Sequence, residues 1–237
     1  MKCIILAAGY ATRMYPLTEN FPKPLLTIKG KAILDYLIDD LNNSKYIDQF
    51  VIVSNHKFIN HFNDWKNTRT ENIVILDDGS IDNDHRLGAV KDIEFALDEL
   101  NIKDDILVLA ADNLLDFSLN DFVEYSLLKS GNAVMRYYEE DLNKLKRTGV
   151  ALIDEEDLIL EMEEKPSSPK SNWAIPPFYV FKKESLSEFK EGINSGCKVD
   201  APGGFIEWFS KRNKVYAYKM PGKRIDIGNL EEYYKIK

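Results

Sequence analysis

The chain is poor in the residues that staple small folds or bind soft metals: its 237 residues hold only two cysteines and three histidines. Cys3 falls in a predicted strand and Cys197 beside a glycine in a predicted loop, too few and too far apart for a disulfide framework or a zinc site. Both are expected as free thiols. His56 and His61 lack the HExxH spacing of a helix-borne metal site. Positive charge is also short. Lys and Arg number 31 against 39 Asp and Glu, a formal charge of −8, which argues against a broad nucleic-acid surface but not against a local basic pocket. No stretch approaches the ~18 apolar residues of a membrane span. Met1–Ala8 is too short for a signal peptide. A cytoplasmic protein with no membrane or nucleic-acid partner is expected. The composition, 44% hydrophobic and 30% charged, is that of a folded globular chain. At this length one domain can bury roughly 70–75% of its unfolded surface.

What the chain does have is concentrated between Leu6 and Leu26, in LAAGYATRMYPLTENFPKPLL. The run Cys3-Ile4-Ile5-Leu6-Ala7-Ala8 reads as a buried strand, and a Gly-containing polar segment after such a strand is where α/β proteins place phosphates. Gly9 lets backbone N–H groups approach an anion. Arg13 adds a planar fork for two phosphate oxygens and Lys23 a compact point charge.

The periodicity then alternates. Ala32–Leu41 places Ile33, Leu34, Leu37, Ile38 and Leu41 at helical spacing. Phe50–Val53 is a strand, with Asn55 placed to cap a helix carrying His56, Phe58, Ile59, Phe62 and Trp65. Ile73–Leu76 is a third strand, followed by the acidic loop Asp77–Arg86, which lacks the order of an EF-hand. Gly88 opens a helix reaching Leu100. Ile106–Ala110 is a continuous apolar run of the kind buried on both faces, ending in Ala111-Asp112-Asn113. A helix over 119–128 and a strand over 133–138 follow. This order predicts an α/β, three-layer, Rossmann-like domain with a mixed, mainly parallel sheet and polar groups at strand carboxyl ends.

The second half reads as a small inserted β-rich subregion. Gly149–Ile153 and Leu158–Glu163 form a predicted hairpin running into Glu164-Lys165-Pro166. Trp173–Ile175 and Phe178–Phe181 flank Pro176-Pro177, so that strand is expected at an edge or interrupted. Gly203-Gly204 leading into a helix over Phe205–Phe209, strands over 215–219 and 223–227, and a helix from Asn229 to Tyr234 close the chain. No repeat or long linker divides it. A single domain over 1–237 is expected, in two halves, 1–138 and 139–237, the second including the closing elements.

The opening string, with Thr-Arg, Pro-Leu-Thr and Pro-Lys-Pro-Leu-Leu in order, resembles the N-terminal signature of the sugar-phosphate nucleotidyltransferases, in a compact form of the glucose-1-phosphate thymidylyltransferase type. Ala-Asp-Asn at 111–113, Glu-Lys-Pro at 164–166 and Asp-Ile-Gly at 226–228 follow in family order. Ala8, Ala11 and Ala111 stand where many members have Gly, which narrows the loop's backbone choices. The resemblance implies Mg²⁺-dependent transfer of a nucleotidyl group from a nucleoside triphosphate to a sugar 1-phosphate. It implies nucleotide contacts along Leu6, Ala8, Gly9, Arg13, Lys23, Gly88 and Asp112, with Arg13 and Lys23 as the catalytic cations. Asp112 and Asp226 would hold the metal, and Gly149, Glu164 and Lys165 the acceptor. Many relatives assemble through C-terminal extensions. This chain closes soon after Asp226, so a homo-oligomer is an open expectation. Two other readings compete: a cytidylyltransferase for a non-sugar phosphate such as phosphocholine, with Trp173, Phe178, Tyr179 and Trp208 as a cation-binding aromatic wall, and a non-catalytic nucleotide-binding regulatory subunit. A dinucleotide oxidoreductase fits less well, because Gly9–Arg13 lacks the second glycine of GxGxxG.

Overall fold

A computed structural model describes residues 1–237. In chain order its elements are β1 (Lys2–Leu6), the hairpin β2 (Thr27–Ile28) and β3 (Lys31–Ala32), α1 (Ile33–Asn42), β4 (Gln49–Ser54), α2 (Ile59–Lys66), β5 (Ile73–Asp77) and α3 (Ala89–Glu99). Next come β6 (Ile106–Ala110), β7 (Asn113–Leu115), α4 (Asn120–Leu128), β8 (Asn132–Tyr138), α5 (Leu142–Leu145), β9 (Gly149–Ile153), β10 (Ile159–Glu164), β11 (Trp173–Ile175) and β12 (Phe178–Phe181). The chain ends with α6 (Glu188–Asn194), α7 (Pro202–Phe209), β13 (Val215–Lys219), β14 (Arg224–Asp226) and α8 (Leu230–Ile236).

One mixed sheet of ten strands organises the molecule, in the order β10-β9-β11-β8-β12-β6-β1-β4-β5, with β13 pairing β8. The run β6-β1-β4-β5 is parallel, with Ile4 opposite both Val51 and Val108. Strand alternation gives the three layers. Cys3 and Ile5 point into a core with Leu34, Leu37, Ile38 and Leu41 of α1 and Phe122 of α4. Ile4 and Val51 point the other way, onto Val90, Ile93 and Leu97 of α3 and Phe189, Phe205 and Phe209 of α6 and α7. Both faces are covered, so the parallel strands are apolar throughout.

Strands of the second half complete the first half's sheet. β12 lies between β6 and β8, antiparallel to both, and β13 runs parallel to β8. Pro176-Pro177 interrupts a strand in the middle of the sheet and marks no edge. β11 and β12 share one side of β8, but β11 pairs outward with β9 and β12 with β6. The sheet splits where two residues have no N–H to give a ladder.

Two local differences bear on the site. α2 starts at Ile59, later than His56, because Asn55 closes a turn instead of capping the helix: its Oδ1 accepts from Phe58 N at 3.0 Å. The Asn55 amide donates to the Ala8 carbonyl at 2.9 Å, tying the Gly9 loop to the end of β4. The hairpin β2-β3 and helix α6 have no clear period in the sequence.

Candidate active site

The strand β1 ends at Leu6, and the loop beyond it is held from several sides. Ala7 N donates to Val53 O at 2.9 Å, the Tyr10 hydroxyl to Ser80 O at 2.9 Å, and the Thr18 hydroxyl to Ala11 O at 2.8 Å. Ala8 is buried and Gly9 exposed. Gly9 is not the residue with special backbone geometry. Ala11 is, at φ 47° and ψ 42°, a left-handed conformation that costs a Cβ-bearing residue about 1–2 kcal/mol. A β-carbon on Gly9 would meet nothing within 4 Å. The loop surface there is open to a ligand. Arg13 follows in a 3₁₀ turn over Thr12–Met14 and is exposed.

Lys23 does the opposite and turns inward. Its residue is 9% exposed, and its Nζ donates to Asp112 Oδ2 at 2.6 Å and to the Ile227 carbonyl at 2.7 Å. Pro22 and Pro24 bracket it in a 3₁₀ turn over Lys23–Leu25, which fixes the backbone from which it reaches.

Asp112 and Asp226 are brought together by a three-residue ladder. β14 pairs antiparallel with β7, placing Asp226 opposite Asn113, and Ile227 N donates to Asp112 O at 3.1 Å. Loss of solvent around the Asp226 carboxyl, and next the charge of Asp112, hold it above the ordinary carboxylate value. Arg224 and Lys23 pull the other way. No cluster of three His, Cys, Asp or Glu side chains suited to a metal ion is present.

Gly88, with φ 95°, starts α3 against the second half. A Cβ there would stand 2.8 Å from the Val199 carbonyl oxygen, so both the backbone angle and the close approach require glycine. Ala89 N and Val90 N donate to Asp200 O and Val199 O, and Arg86 pairs with Asp200 at 2.9 Å. The N-terminus of α3 is therefore spent on protein carbonyls.

The third group lies where β10 ends. The Glu164 carboxyl packs onto Gly149 and Gly203: a Cβ on Gly203 would fall 2.0 Å from Glu164 Oε2, and one on Gly149 3.1 Å from it. Glu164 N donates to Glu207 Oε2 at 3.0 Å. Burial raises the Glu164 carboxyl above its usual value, opposed by Lys165 and Lys198. Lys165 is itself left-handed at φ 53°, directly before Pro166, where that conformation is disfavoured; its side chain is half exposed and its Nζ lies 3.8 Å from Glu164 Oε1. Tyr179 is buried behind this group, and burial, then the Glu164 charge, push its hydroxyl above the usual phenol range.

The aromatic wall does not form. Phe178 belongs to one core and Tyr179 to the other, as neighbours in a strand must. Trp173 is covered by Arg136, 4.5 Å from its ring, and Trp208 stacks on Phe205 and Arg212. His56 pairs with Asp77 at 2.6 Å on the surface, and Cys3 is buried with its thiol pushed up by desolvation.

Three residues at this site escape the sequence reading: Asn113, Arg224 and Gly203. Arg224 carries a usable signal, since in a strand it shares a face with Asp226. Asn113 and Gly203 carry none beyond adjacency.

The nucleotidyl transferase family model matches residues 2–237. A Sulfolobus acidocaldarius protein described as a mannose-1-phosphate guanyltransferase is 32% identical over 239 residues, covering 100% of this chain and 62% of its own. The UTP–glucose-1-phosphate uridylyltransferase of Haloferax volcanii is 29% identical over 244 residues, covering 98% of this chain and 93% of its own. A Bacillus anthracis structure described as a glucose-1-phosphate thymidylyltransferase with sucrose superposes with a TM-score of 0.84, over 100% of this chain and 93% of that one. At 23% identity that superposition shows a common fold alone. The chain spans about half to two thirds of the length of several curated relatives, 51% in the case of a bifunctional protein of Methanocaldococcus jannaschii. No helix is long and apolar enough to cross a membrane. With its opening loop, both aspartates and the Glu-Lys-Pro turn inside one continuous match, the chain belongs to the nucleotidyl transferase family.

Proposed function

We propose that this chain transfers a nucleotidyl group from a nucleoside triphosphate to a sugar 1-phosphate, forming a nucleotide sugar and pyrophosphate. The observation that carries the reading is the meeting of Lys23, Asp112 and Asp226 through the β7–β14 ladder, at the carboxyl end of the parallel strand β6. Ligands bind at such strand ends in open α/β sheets. The named relatives act on mannose 1-phosphate and glucose 1-phosphate, which supports a sugar phosphate as acceptor.

In this scheme an acceptor phosphate oxygen attacks the α-phosphorus, and the bond to the bridging oxygen of the β-phosphate breaks, releasing pyrophosphate. A phosphate monoester is already largely ionised at neutral pH. The protein's tasks are alignment and neutralisation. Arg13, exposed on the loop, holds the departing β- and γ-phosphates while Leu6, Ala8, Gly9 and Gly88 border the nucleoside. Lys23 spends two of its three protons on Asp112 and Ile227, leaving one for an α-phosphate oxygen. Lys165 grips the acceptor phosphate. Glu164, whose carboxyl has no hydrogen-bond donor beyond the Lys165 ion pair, accepts from sugar hydroxyls next to the Gly149 backbone. Asp112 keeps lone pairs free beside its two donors and Asp226 is half exposed, so together they offer the hard-oxygen pair that suits Mg²⁺ held by one or two carboxylates plus substrate phosphates. Bound there, Mg²⁺ would screen the repulsion between the two anionic substrates.

The test is a matrix of nucleoside triphosphates against hexose 1-phosphates and phosphocholine with Mg²⁺, scored by pyrophosphate release. Release with at least one sugar 1-phosphate is expected. Release with phosphocholine alone would replace the acceptor, and silence across a folded preparation would favour a regulatory, non-catalytic chain.

A further inference from the structure

Asn113 is fully buried one residue after Asp112, and its amide is held at both ends. Its Nδ2 donates to Asp112 Oδ1 at 2.9 Å and to the Ala110 carbonyl at 3.3 Å. Its Oδ1 accepts from Arg224 Nη1 at 2.6 Å. A guanidinium only donates and an ionised carboxylate only accepts, so the amide has one workable orientation. The same Arg224 nitrogen lies 3.5 Å from Asp226 Oδ2, the ion pair that the Asp226 carboxylate makes.

The result is a continuous chain of contacts, Lys23 to Asp112 to Asn113 to Arg224 to Asp226, running from the opening loop to β14. Each Asp112 oxygen takes one donor, Asn113 on Oδ1 and Lys23 on Oδ2, and keeps lone pairs for another partner. Arg224 is not a solvated surface cation. Its side chain is 13% exposed and its guanidinium lies 5.6 Å from the centre of the Tyr137 ring. Arg224 and Asn113 are diagonal neighbours across a ladder of three residue pairs. A two-stranded ribbon so short holds register poorly alone, so the side-chain tie between its strands carries weight.

We propose that Arg224 and Asn113 form a positioning pair that sets the separation and rotamers of the Asp112 and Asp226 carboxylates for a divalent cation. The pair touches neither the phosphates nor the transferred group in this scheme. It acts through the two carboxylates, as hydrogen-bonded neighbours of metal-binding side chains do elsewhere, where their loss costs about 10–100-fold in metal affinity. The inference rests on the metal role given to the two aspartates under the proposed function.

The test reads metal binding directly, without turnover. Free Mn²⁺ is titrated by electron paramagnetic resonance against the intact chain with pyrophosphate present, for wild type, Arg224→Met, Arg224→Lys, Asn113→Ala and Asp226→Asn. Arg224→Met is expected to weaken Mn²⁺ at least ~10-fold with its circular dichroism unchanged. Arg224→Lys keeps the charge but loses the planar fork that reaches Asn113 and Asp226 together, and should stay weakened. Asn113→Ala added to Arg224→Met should cost little more than either alone, since both break one relay. Should Asn113→Ala fail to fold, the two Arg224 variants decide the matter. Wild-type Mn²⁺ affinity in Arg224→Met, with binding lost in Asp226→Asn, overturns the positioning pair and leaves the metal role intact. Unchanged affinity in Asp226→Asn overturns the metal role itself, and the pair with it. Recovery of full affinity in Arg224→Lys reduces the effect to charge and also overturns the pair.

Discussion

Lys23 Nζ stands 2.6 Å from Asp112 Oδ2, so a cation from the opening loop closes onto a carboxylate 89 residues later in the chain. The same ammonium reaches the Ile227 carbonyl, and three separate segments converge on one charge.

Lys23→Ala should therefore lower pyrophosphate release by at least ~10²-fold, the scale for loss of one preorganised electrostatic group. It also leaves Asp112 facing Asp226 with less positive charge nearby. Some solvent reaches Asp112, whose side chain is 31% exposed, so the stability loss is expected at only about 1 kcal/mol. Mg²⁺ should restore part of it, raising the variant's melting temperature more than that of wild type. Near-normal turnover in Lys23→Ala would remove it from the mechanism.

Much of the fold is legible in the sequence because the buried parallel strands are apolar runs with polar ends. Ile106–Ala110 is apolar without alternation, and it is the strand between β1 and β12 with both faces covered. Asp112 and Asp226 stand out because one lies just past the end of β6 and the other ends β14. That Asn113 and Arg224 tie them together is hidden, since an Asn after an Asp reads equally well as a turn residue. The aromatic wall was readable as an error: Phe178 and Tyr179 are adjacent in a strand and face opposite ways. Pro176-Pro177 shows the limit of edge rules, because proline also fits where a strand exchanges one neighbour for another.

Ala11→Gly tests the strain in the loop after β1. The left-handed backbone at Ala11 costs about 1–2 kcal/mol, which glycine relieves. Glycine in turn loses about 0.4–1 kcal/mol through the freedom it adds to the unfolded chain. The net gain is expected at about 0–1.6 kcal/mol, a rise of a few degrees at most in calorimetry for a chain of this size. A lower melting temperature would mean that the Ala11 methyl contributes packing that outweighs its strain.

Asp92, in the first turns of α3, is 5% exposed beside Asp78, and each carboxyl has one oxygen without a hydrogen-bond partner. Burial, then the Asp78 charge, push Asp92 from 3.8 up to about 8. The folded state thus holds a proton that the unfolded state releases above about pH 4. Between pH 4 and pH 8 the unfolded chain binds fewer protons, so this pair makes stability fall as pH rises across that window. Asp92→Asn keeps the shape and offers Asp78 a permanent donor. The variant should gain about 1 kcal/mol or more over wild type at pH 8 and little at pH 4, measured by urea titration. An equal effect at both values would show that no proton is shared there.

Gly203 is the second residue of α7, and the Glu164 carboxyl occupies the space its side chain would take. With Oε2 2.0 Å from the position of a β-carbon, Gly203→Ala cannot be accommodated unless Glu164 swings away. The methyl is otherwise mild at a helix start, since alanine favours helix over glycine by about 1 kcal/mol. The damage should therefore fall on the acceptor and not on the fold. KM for the sugar 1-phosphate is expected to rise about tenfold, the cost of roughly one hydrogen bond to a charged group. KM for the nucleoside triphosphate should stay within about twofold, because Arg13 and Lys23 lie on other segments. Adding Glu164→Asp to Gly203→Ala, so that a shorter side chain withdraws the carboxylate, should leave folding stability unchanged and acceptor affinity still low. Equal losses for both substrates in steady-state kinetics would place the effect in the helix and not in the acceptor contact.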